Sequence, residues 1–128
     1  MEIEKAKGGK SPHFDGMEIG RNFFDYFYTT WCTNPDGLIP IISLNSVLKF
    51  NSEKYEGEQF IHKLKELHQM GLSFSDIKYE ILYNGSRQIQ ILVNGTLNSK
   101  NFSQVLTVVY MGEKANSKWI LNNSILII

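Results

Sequence analysis

The sequence contains one cysteine, Cys32, and only three prolines in 128 residues. A single cysteine excludes an intrachain disulfide, and a reducing compartment is the simplest setting for such a chain. The formal net charge is zero, because 13 Lys and Arg residues balance 13 Asp and Glu residues. Nucleic-acid binders normally carry a basic surplus, and anionic membranes attract basic segments. We therefore expect neither a nucleic acid nor a membrane as partner.

Long apolar runs are missing as well. No stretch reaches the length of a transmembrane helix, and the first residues, MEIEK, lack the apolar segment of a signal peptide. The chain has no phosphate-binding loop, nucleophile elbow or zinc-ligand spacing. His62 and His68 are six residues apart and fall on different faces of one predicted helix. These absences predict a chain with no cofactor and no metal.

The residues that are present predict a single domain. Hydrophobic residues make up 42% of the chain, which is enough for one core at this length. Residues 1–13 are charged, contain glycine and lack periodicity, so they predict a flexible tail. The domain is then expected to occupy residues 14–128.

An amphipathic helix is predicted at the start of this domain. Asp15 is a good N-cap, and Glu18 is its capping-box partner three residues later. An apolar stripe with helical spacing follows and consists of Ile19, Phe23, Phe27 and Thr30. The turn formers at residues 34–37 end the helix.

The next segments predict short elements and a second helix. Residues 38–44 are apolar but contain a proline, so a short helix or turn is expected. Residues 47–50 read as a short strand. A second helix follows Gly57 and ends near Gly71.

The remainder of the sequence alternates with the period of β-strands. Asn84-Gly85 is the strongest short hairpin signal in the chain, because a type I′ turn needs positive φ at both central residues. Strands are predicted over residues 77–83, 89–93, 102–111 and 118–128, with turns between them. Helices followed by an antiparallel meander indicate an α+β fold.

The last two predicted strands are apolar on both faces. In the final strand, Trp119, Leu121, Ile125 and Ile127 alternate with Ile120, Leu126 and Ile128. Two helices can cover one face only, so a second copy of the chain is expected to cover the other, sheet to sheet. The predicted dimer interface consists of Val105, Val109, Met111, Ile125 and Ile127. A wholly intramolecular sandwich is the alternative.

Several short segments resemble the nuclear transport factor 2 family. The aromatic cluster FFDYFY at 23–28 resembles the opening helix of that family. Residues 48–57 resemble its aromatic strand end, which leads to a glycine before a helix. Phe102-Ser103-Gln104 resembles its Phe-x-Gln, and Trp119 with Asn123 resembles its closing Trp-x-x-x-Asn. The resemblance covers about residues 17–128 through the order and spacing of these segments.

The resemblance implies a cone-shaped α+β fold with helices packed on a strongly curved antiparallel sheet, assembled as a sheet-to-sheet homodimer. It further implies a carrier that binds Ran-GDP and Phe-Gly nucleoporin repeats and shuttles between cytoplasm and nucleus. Ran inserts an aromatic side chain into an apolar cavity rimmed by carboxylates. The positions that correspond to the cavity are Phe50, Leu67, Ile77 and Leu126.

The chain departs from the family at the rim of that cavity. Asn51 stands where the family has an acidic residue, which leaves Glu53 and Glu56 as candidate rim carboxylates. The family's exposed Trp in the nucleoporin-repeat site corresponds to Gly16. Phe14, Met17 and Ile125 are then the candidates for an apolar groove at the dimer seam.

Two other functions remain open at this stage. The small subunit of the mRNA export receptor has the same fold but pairs with a larger, different chain. A cavity enzyme of the same superfold would use an Asp with a Tyr. The candidates are Asp25, Tyr26 and Tyr28 on the first predicted helix, and Tyr79 and Tyr83 on the first long predicted strand. Asp25 flanks the apolar stripe and is expected to face solvent, so we predict no catalytic residue and no enzyme activity.

Overall fold

The computed structural model describes residues 15–83, 87–111 and 118–128. The elements are, in order, α1 Gly16–Thr33, a 3₁₀ helix Pro35–Ile41, β1 Val47–Phe50, β2 Glu53–Glu56, α2 Glu58–Gln69, β3 Phe74–Tyr83, β4 Gln88–Leu97, β5 Lys100–Met111 and β6 Lys118–Ile127. The predicted α+β fold is confirmed. The predicted tail with Phe14, the Asn84-Gly85 turn and the loop 112–117 lie outside the described residues.

Helix α1 begins where the sequence predicts. The Asp15 side chain accepts a hydrogen bond from the Glu18 amide at 3.2 Å, which satisfies one of the unpaired donors of the first turn. The aromatic stripe is buried, and Phe27 and Trp31 are fully so. The Trp31 indole Nε1 donates to the Leu64 carbonyl at 2.9 Å and thereby ties α1 to α2.

Helix α2 also matches its predicted limits. Gly57 precedes it with φ of 61°, a conformation that favours glycine, and its amide donates to the Ser46 carbonyl at 2.9 Å. The helix ends at Gln69, just before Gly71, whose φ is 96°.

The strands form one sheet in the order β2-β1-β6-β5-β4-β3. All neighbours are antiparallel except β1 and β6, which run parallel, so the expectation of a wholly antiparallel sheet is wrong and the sheet is mixed. Strand β2 was not predicted. The parallel pairing depends on contact between distant segments, such as Val47 with Asn123, which local alternation does not reveal. Strand β2 forms a local hairpin with β1, but its four residues are mostly charged and show no apolar alternation.

A β-bulge interrupts the pairing of β5 with β6. Thr107 pairs with Asn123 and Val108 with Leu121, so Asn122 is left as an extra residue on β6. The extra residue reverses the alternation of β6 at this point. Leu121 therefore faces the core, and the predicted grouping of Leu121 with Ile125 and Ile127 is wrong.

The helices cover the inner face of the curved sheet, and the core lies between them. The largest fully buried side chains include Trp31, Phe27, Phe60, Leu48, Ile91, Leu106, Leu121 and Leu126. Large apolar side chains are exposed on the outer face of the sheet, among them Met111, Ile125 and Ile127.

Two glycines let α1 approach β3 closely. A Cβ at Gly16 would lie 2.0 Å from Cγ of Tyr83, and a Cβ at Gly20 would lie 2.8 Å from Cγ2 of Ile81. Real Cβ atoms do not make such contacts, so both positions need glycine for packing. Gly16 is buried against Tyr83 and is therefore part of the helix–sheet packing.

Candidate functional site

The end of β1 is shaped by a tight turn at Asn51 and Ser52. These residues have φ of 48° and 80°, and Asn is one of the residue types that tolerates this region. The Asn51 amide donates to the Leu126 carbonyl, and its Oδ1 accepts from the Ile128 amide, both at 3.0 Å. Asn51 thus fixes the turn to the end of β6, and its side chain is engaged there.

Phe50, Glu53, Tyr55 and Lys63 lie together beside this turn, and we call this group the Phe50 mouth. Phe50 pairs with Glu53 across β1 and β2. The Tyr55 hydroxyl donates to Glu53 Oε1 at 2.9 Å, which holds the carboxylate in place, and this hydrogen bond raises the pKa of Tyr55. The mouth therefore combines an aromatic ring with a positioned carboxylate.

Lys63 of α2 covers the rings of the Phe50 mouth. Its Nζ lies 4.9 Å from the Phe50 ring centroid and 5.3 Å from that of Tyr55, within cation–π range. Nζ is also 3.4 Å from Glu66 Oε1, and the Lys63 side chain is 14% exposed. The sequence reading missed Lys63. Its only signal was a basic residue on the predicted second helix.

The structure brings only part of the predicted cavity together. Leu126 is fully buried and is the register partner of Phe50. Leu67 is buried on α2 in the same core cluster. Ile77 lies on β3, which three strands separate from β1 in the sheet, and it lines a different depression.

The two candidate rim acids point to opposite sides of β2. Glu53 and Tyr55 share a face, as their hydrogen bond shows. Glu56 is one residue out of step with Tyr55 and pairs with Val47 on the outer side. Only Glu53 lies at the Phe50 mouth.

The candidates for the nucleoporin-repeat groove are also separated within one chain. Met17 lies in the first turn of α1 and lines a depression with Arg21 and Leu82. Ile125 lies on the outer face of β6. The two residues are therefore on different sides of the sheet, and a groove containing both needs a second chain.

All predicted dimer-interface residues share the outer face of the sheet. Val105, Val109 and Met111 alternate along β5, and Val105 pairs with Ile125. Met111, Ile125 and Ile127 are 52%, 43% and 56% exposed. The register thus places these five side chains on one face, where the polar pair Thr107 and Asn123 lies between Val105 and Val109.

A buried chain of hydrogen bonds crosses the interior of the fold. The Tyr28 hydroxyl donates to Gln104 Oε1, and Gln104 Nε2 donates to Ser124 Oγ at 3.0 Å. Gln104 and Ser124 are each 1% exposed. Burial raises the pKa of Tyr28 far above its usual range, and the nearby Cys32 adds to this effect. Sequence reading found Gln104 through its motif but did not connect it to Tyr28 or Ser124.

An apolar depression of about 470 Å³ lies between α1 and β3. It is lined by Phe24, Asp25, Tyr28, Thr29, Cys32, Thr33, Phe74, Ile77 and Tyr79. Phe24 stacks on Tyr79 with ring centroids 3.9 Å apart. Burial raises the pKa of the Cys32 thiol. Asp25 is exposed at the border, as expected from the sequence.

Solved structures share this architecture at low sequence identity. Nuclear transport factor 2 from Cryptosporidium parvum has a TM-score of 0.58 and 18% identity, over 88% of this chain and 93% of that chain. The chain has a nuclear transport factor 2-like fold. The yeast UBP3-associated protein BRE5 shares it, with a TM-score of 0.61 and 15% identity over 89% of this chain and 96% of its own.

The nuclear transport factor 2-like fold also occurs in a candidate ketosteroid isomerase from Shewanella frigidimarina. Its TM-score is 0.68 at 11% identity, over 82% of this chain and 91% of that chain. No protein-family model and no curated protein matches the chain. Such likenesses establish the fold, and function must be argued from the site.

The described residues contain neither a membrane-spanning helix nor a metal-binding cluster. None of their helices has the length and apolar character needed to cross a bilayer. Within the same ranges, His, Cys, Asp and Glu side chains do not gather in a group of three or more that would hold a metal ion.

Proposed function

We propose that this chain is a nucleocytoplasmic transport factor, a homodimeric carrier that binds Ran-GDP and Phe-Gly nucleoporin repeats and imports Ran into the nucleus. It acts without a cofactor, in cytoplasm and nucleus. The observation that supports this proposal best is the Phe50 mouth, where an aromatic ring and a positioned carboxylate lie side by side.

The Phe50 mouth suits a partner that presents an aromatic side chain next to a basic one. Phe50 is half-buried and offers apolar contact, and burying an aromatic guest there contributes roughly 1.5–3 kcal/mol. Glu53 is preorganised by Tyr55, so little side-chain entropy is lost when it pairs with a cation.

Lys63 is expected to weaken binding of the partner at the Phe50 mouth. Its ammonium group already lies over the rings of Phe50 and Tyr55, so a cation of the partner must displace it. Asn51 is neutral and engaged with β6, so it adds no charge to the rim. We therefore expect the affinity for Ran-GDP to depend only weakly on salt, because long-range attraction is small.

The homodimer is proposed to form through the outer face of the sheet. That face carries Val105, Val109, Met111, Ile125 and Ile127. Met111, Ile125 and Ile127 are exposed, and exposed apolar side chains gathered on one face of a soluble domain mark interaction sites. A two-fold pairing would bury the same patch of both chains. Pairing with a larger, different chain would instead assign the protein to the mRNA export alternative.

The interior of the fold supports a binding module over an enzyme. Tyr28, Gln104 and Ser124 are neutral groups that satisfy one another. The raised pKa of Tyr28 keeps its proton in place, which makes it a poor proton donor at neutral pH. This chain of hydrogen bonds is therefore interpreted as structural.

The test is capture of purified Ran loaded with GDP or with GTP, followed by affinity measurement at two salt concentrations. We expect binding of the GDP form, weakened by Glu53→Gln and by Phe50→Ala per folded molecule. Lys63→Met should strengthen binding because it uncovers the rings. Glu56→Gln is the matched control, since it removes an acid from the opposite side of the same strand.

Absence of binding to Ran-GDP would overturn the proposal. Equal effects of Glu53→Gln and Glu56→Gln would show that the Phe50 mouth is not the binding site. If Phe50→Ala lowers thermal stability by several kcal/mol but leaves binding per folded molecule unchanged, Phe50 is a core residue only.

A further inference from the structure

Strand β3 is an edge of the sheet. In the described ranges it pairs with β4 on one side and with no strand on the other. Edge strands present unpaired backbone donors and acceptors, which serve as a template for another strand. A bulge between Ser75 and Lys78, with Asp76 at φ of 55°, limits the regular part of β3 to its second half.

The regular part of β3 is complementary to itself. Its sequence around Tyr79 is Ile77-Lys78-Tyr79-Glu80-Ile81. If two copies pair antiparallel about a two-fold axis at Tyr79, Lys78 of each lies opposite Glu80 of the other. Opposite charges directly across an antiparallel pair are stabilising, and the two-fold axis produces this pair twice.

Helix α1 repeats this complementarity in a second layer. It runs antiparallel to β3, with Gly16 against Tyr83 and Gly20 against Ile81, so Phe24 stacks on Tyr79 at the level of the axis. Around the same two-fold axis, the part of α1 before Phe24 in one copy would therefore lie beside the part of α1 after Phe24 in the other copy.

Arg21 and Asp25 lie on these two parts of α1. Arg21 borders a depression with Tyr79 and Ile81, and Asp25 borders the depression on the other side of Tyr79. Both side chains belong to exposed residues, and neither forms an ion pair with another described residue. Across the axis, Arg21 of one copy would meet Asp25 of the other.

We propose that two copies of this chain associate edge to edge through β3 and α1, which joins their sheets into one. This interface is separate from the outer face and does not depend on Ran binding. Because the bulge at Asp76 shortens the ladder, the association is expected to be weak and to vary with protein concentration. Because charge pairs contribute to it, the association is also expected to weaken at high salt. Together with the outer face it would produce a dimer of dimers.

Charge reversal tests the proposal. Lys78→Glu and Glu80→Lys each place like charges opposite one another in a self-pair, so each should raise the dissociation constant of edge association about tenfold or more. An equimolar mixture of the two variants should restore association. One chain then carries acids at both positions and the other carries bases, so every cross-strand pair is attractive.

Sedimentation equilibrium at low salt and rising protein concentration provides the readout. The measurement is made in the unmodified background and with Ile125→Glu, which removes outer-face pairing from the equilibrium. Lys100→Glu and Glu58→Lys reverse exposed charges away from β3 and should leave association unchanged. Circular dichroism confirms that each variant is folded.

Several results would overturn the proposal. One is that the single variants associate as strongly as the unmodified chain. A second is a mixture that associates no better than its components. A third is no edge association at any concentration, which would leave the edge to a different partner strand.

Discussion

Gly20→Ala sets two known effects of opposite sign against each other. Gly20 lies inside α1, where alanine is favoured over glycine by about 0.8–1.0 kcal/mol. The added Cβ, however, would lie 2.8 Å from Cγ2 and 2.9 Å from Cδ1 of Ile81. Overpacking of a tight contact costs roughly 1–3 kcal/mol.

We expect the steric effect to be larger. Ile81 is β-branched and stiff at χ1, so Cγ2 cannot move away without its whole side chain or the strand. The net loss in the free energy of unfolding is then about 1 kcal/mol, which lowers Tm by about 4 °C for a domain of this size.

A double-mutant cycle in urea denaturation separates the two effects. Ile81→Ala removes every Ile81 atom that the new Cβ would meet. In that background Gly20→Ala should stabilise the protein by up to about 1 kcal/mol, so the sign of its effect reverses. Stabilisation by Gly20→Ala in the unmodified protein would refute the close approach of α1 to β3.

Three further predictions concern the interior and the outer face. Gln104→Leu should lower the free energy of unfolding by roughly 1–3 kcal/mol, because the buried Ser124 and Tyr28 hydroxyls lose their hydrogen-bond partner. An unchanged midpoint of urea denaturation would contradict this expected loss. Folded Tyr28 retains its proton above about pH 10, where the tyrosine of the unfolded chain releases it. The free energy of unfolding therefore falls as pH rises through this range. Tyr28→Phe should make that fall less steep in alkaline denaturation. Ile125→Glu should abolish the proposed outer-face dimer in sedimentation equilibrium, whereas Ile39→Glu, which changes an apolar side chain exposed elsewhere, should leave that dimer intact.

The sequence predicted the elements whose signals are local. Asp15 with Glu18 marked the start of α1, and Gly57 and Gly71 marked the limits of α2. Caps and positive-φ glycines act through their immediate neighbours, so a single sequence is sufficient to find them.

Pairing between distant segments was not predictable in this way. Strand β1 meets β6 in parallel across most of the chain. Strand β2 pairs locally with β1 and escaped prediction for another reason, because it is only four residues long and mostly charged. The bulge at Asn122 shifts the alternation of β6 by one residue, so Leu121 faces inward although the pattern places it outward. Nothing in the local sequence distinguishes Asn122 from its neighbour Asn123.

The Phe50 mouth was predicted in part. Phe50 and Glu53 were identified through the family resemblance, and they are register partners in the structure. Glu56 was placed on the same rim, but strand alternation turns it to the other side. Lys63 belongs to another element, and its approach to the Phe50 ring depends on how α2 packs on the sheet.

The position of β6 has a consequence for folding. The sheet order places β6 between β1 and β5, so it joins the β1–β2 hairpin to the β3–β4–β5 meander. Until residues 118–127 have been synthesised and inserted, these two parts share no strand-to-strand contact. Contacts that span so much of the chain form slowly, because a long loop must be closed first. An incomplete chain would therefore expose the apolar sides of both β1 and β5, and chaperone binding during synthesis is expected to last until β6 emerges.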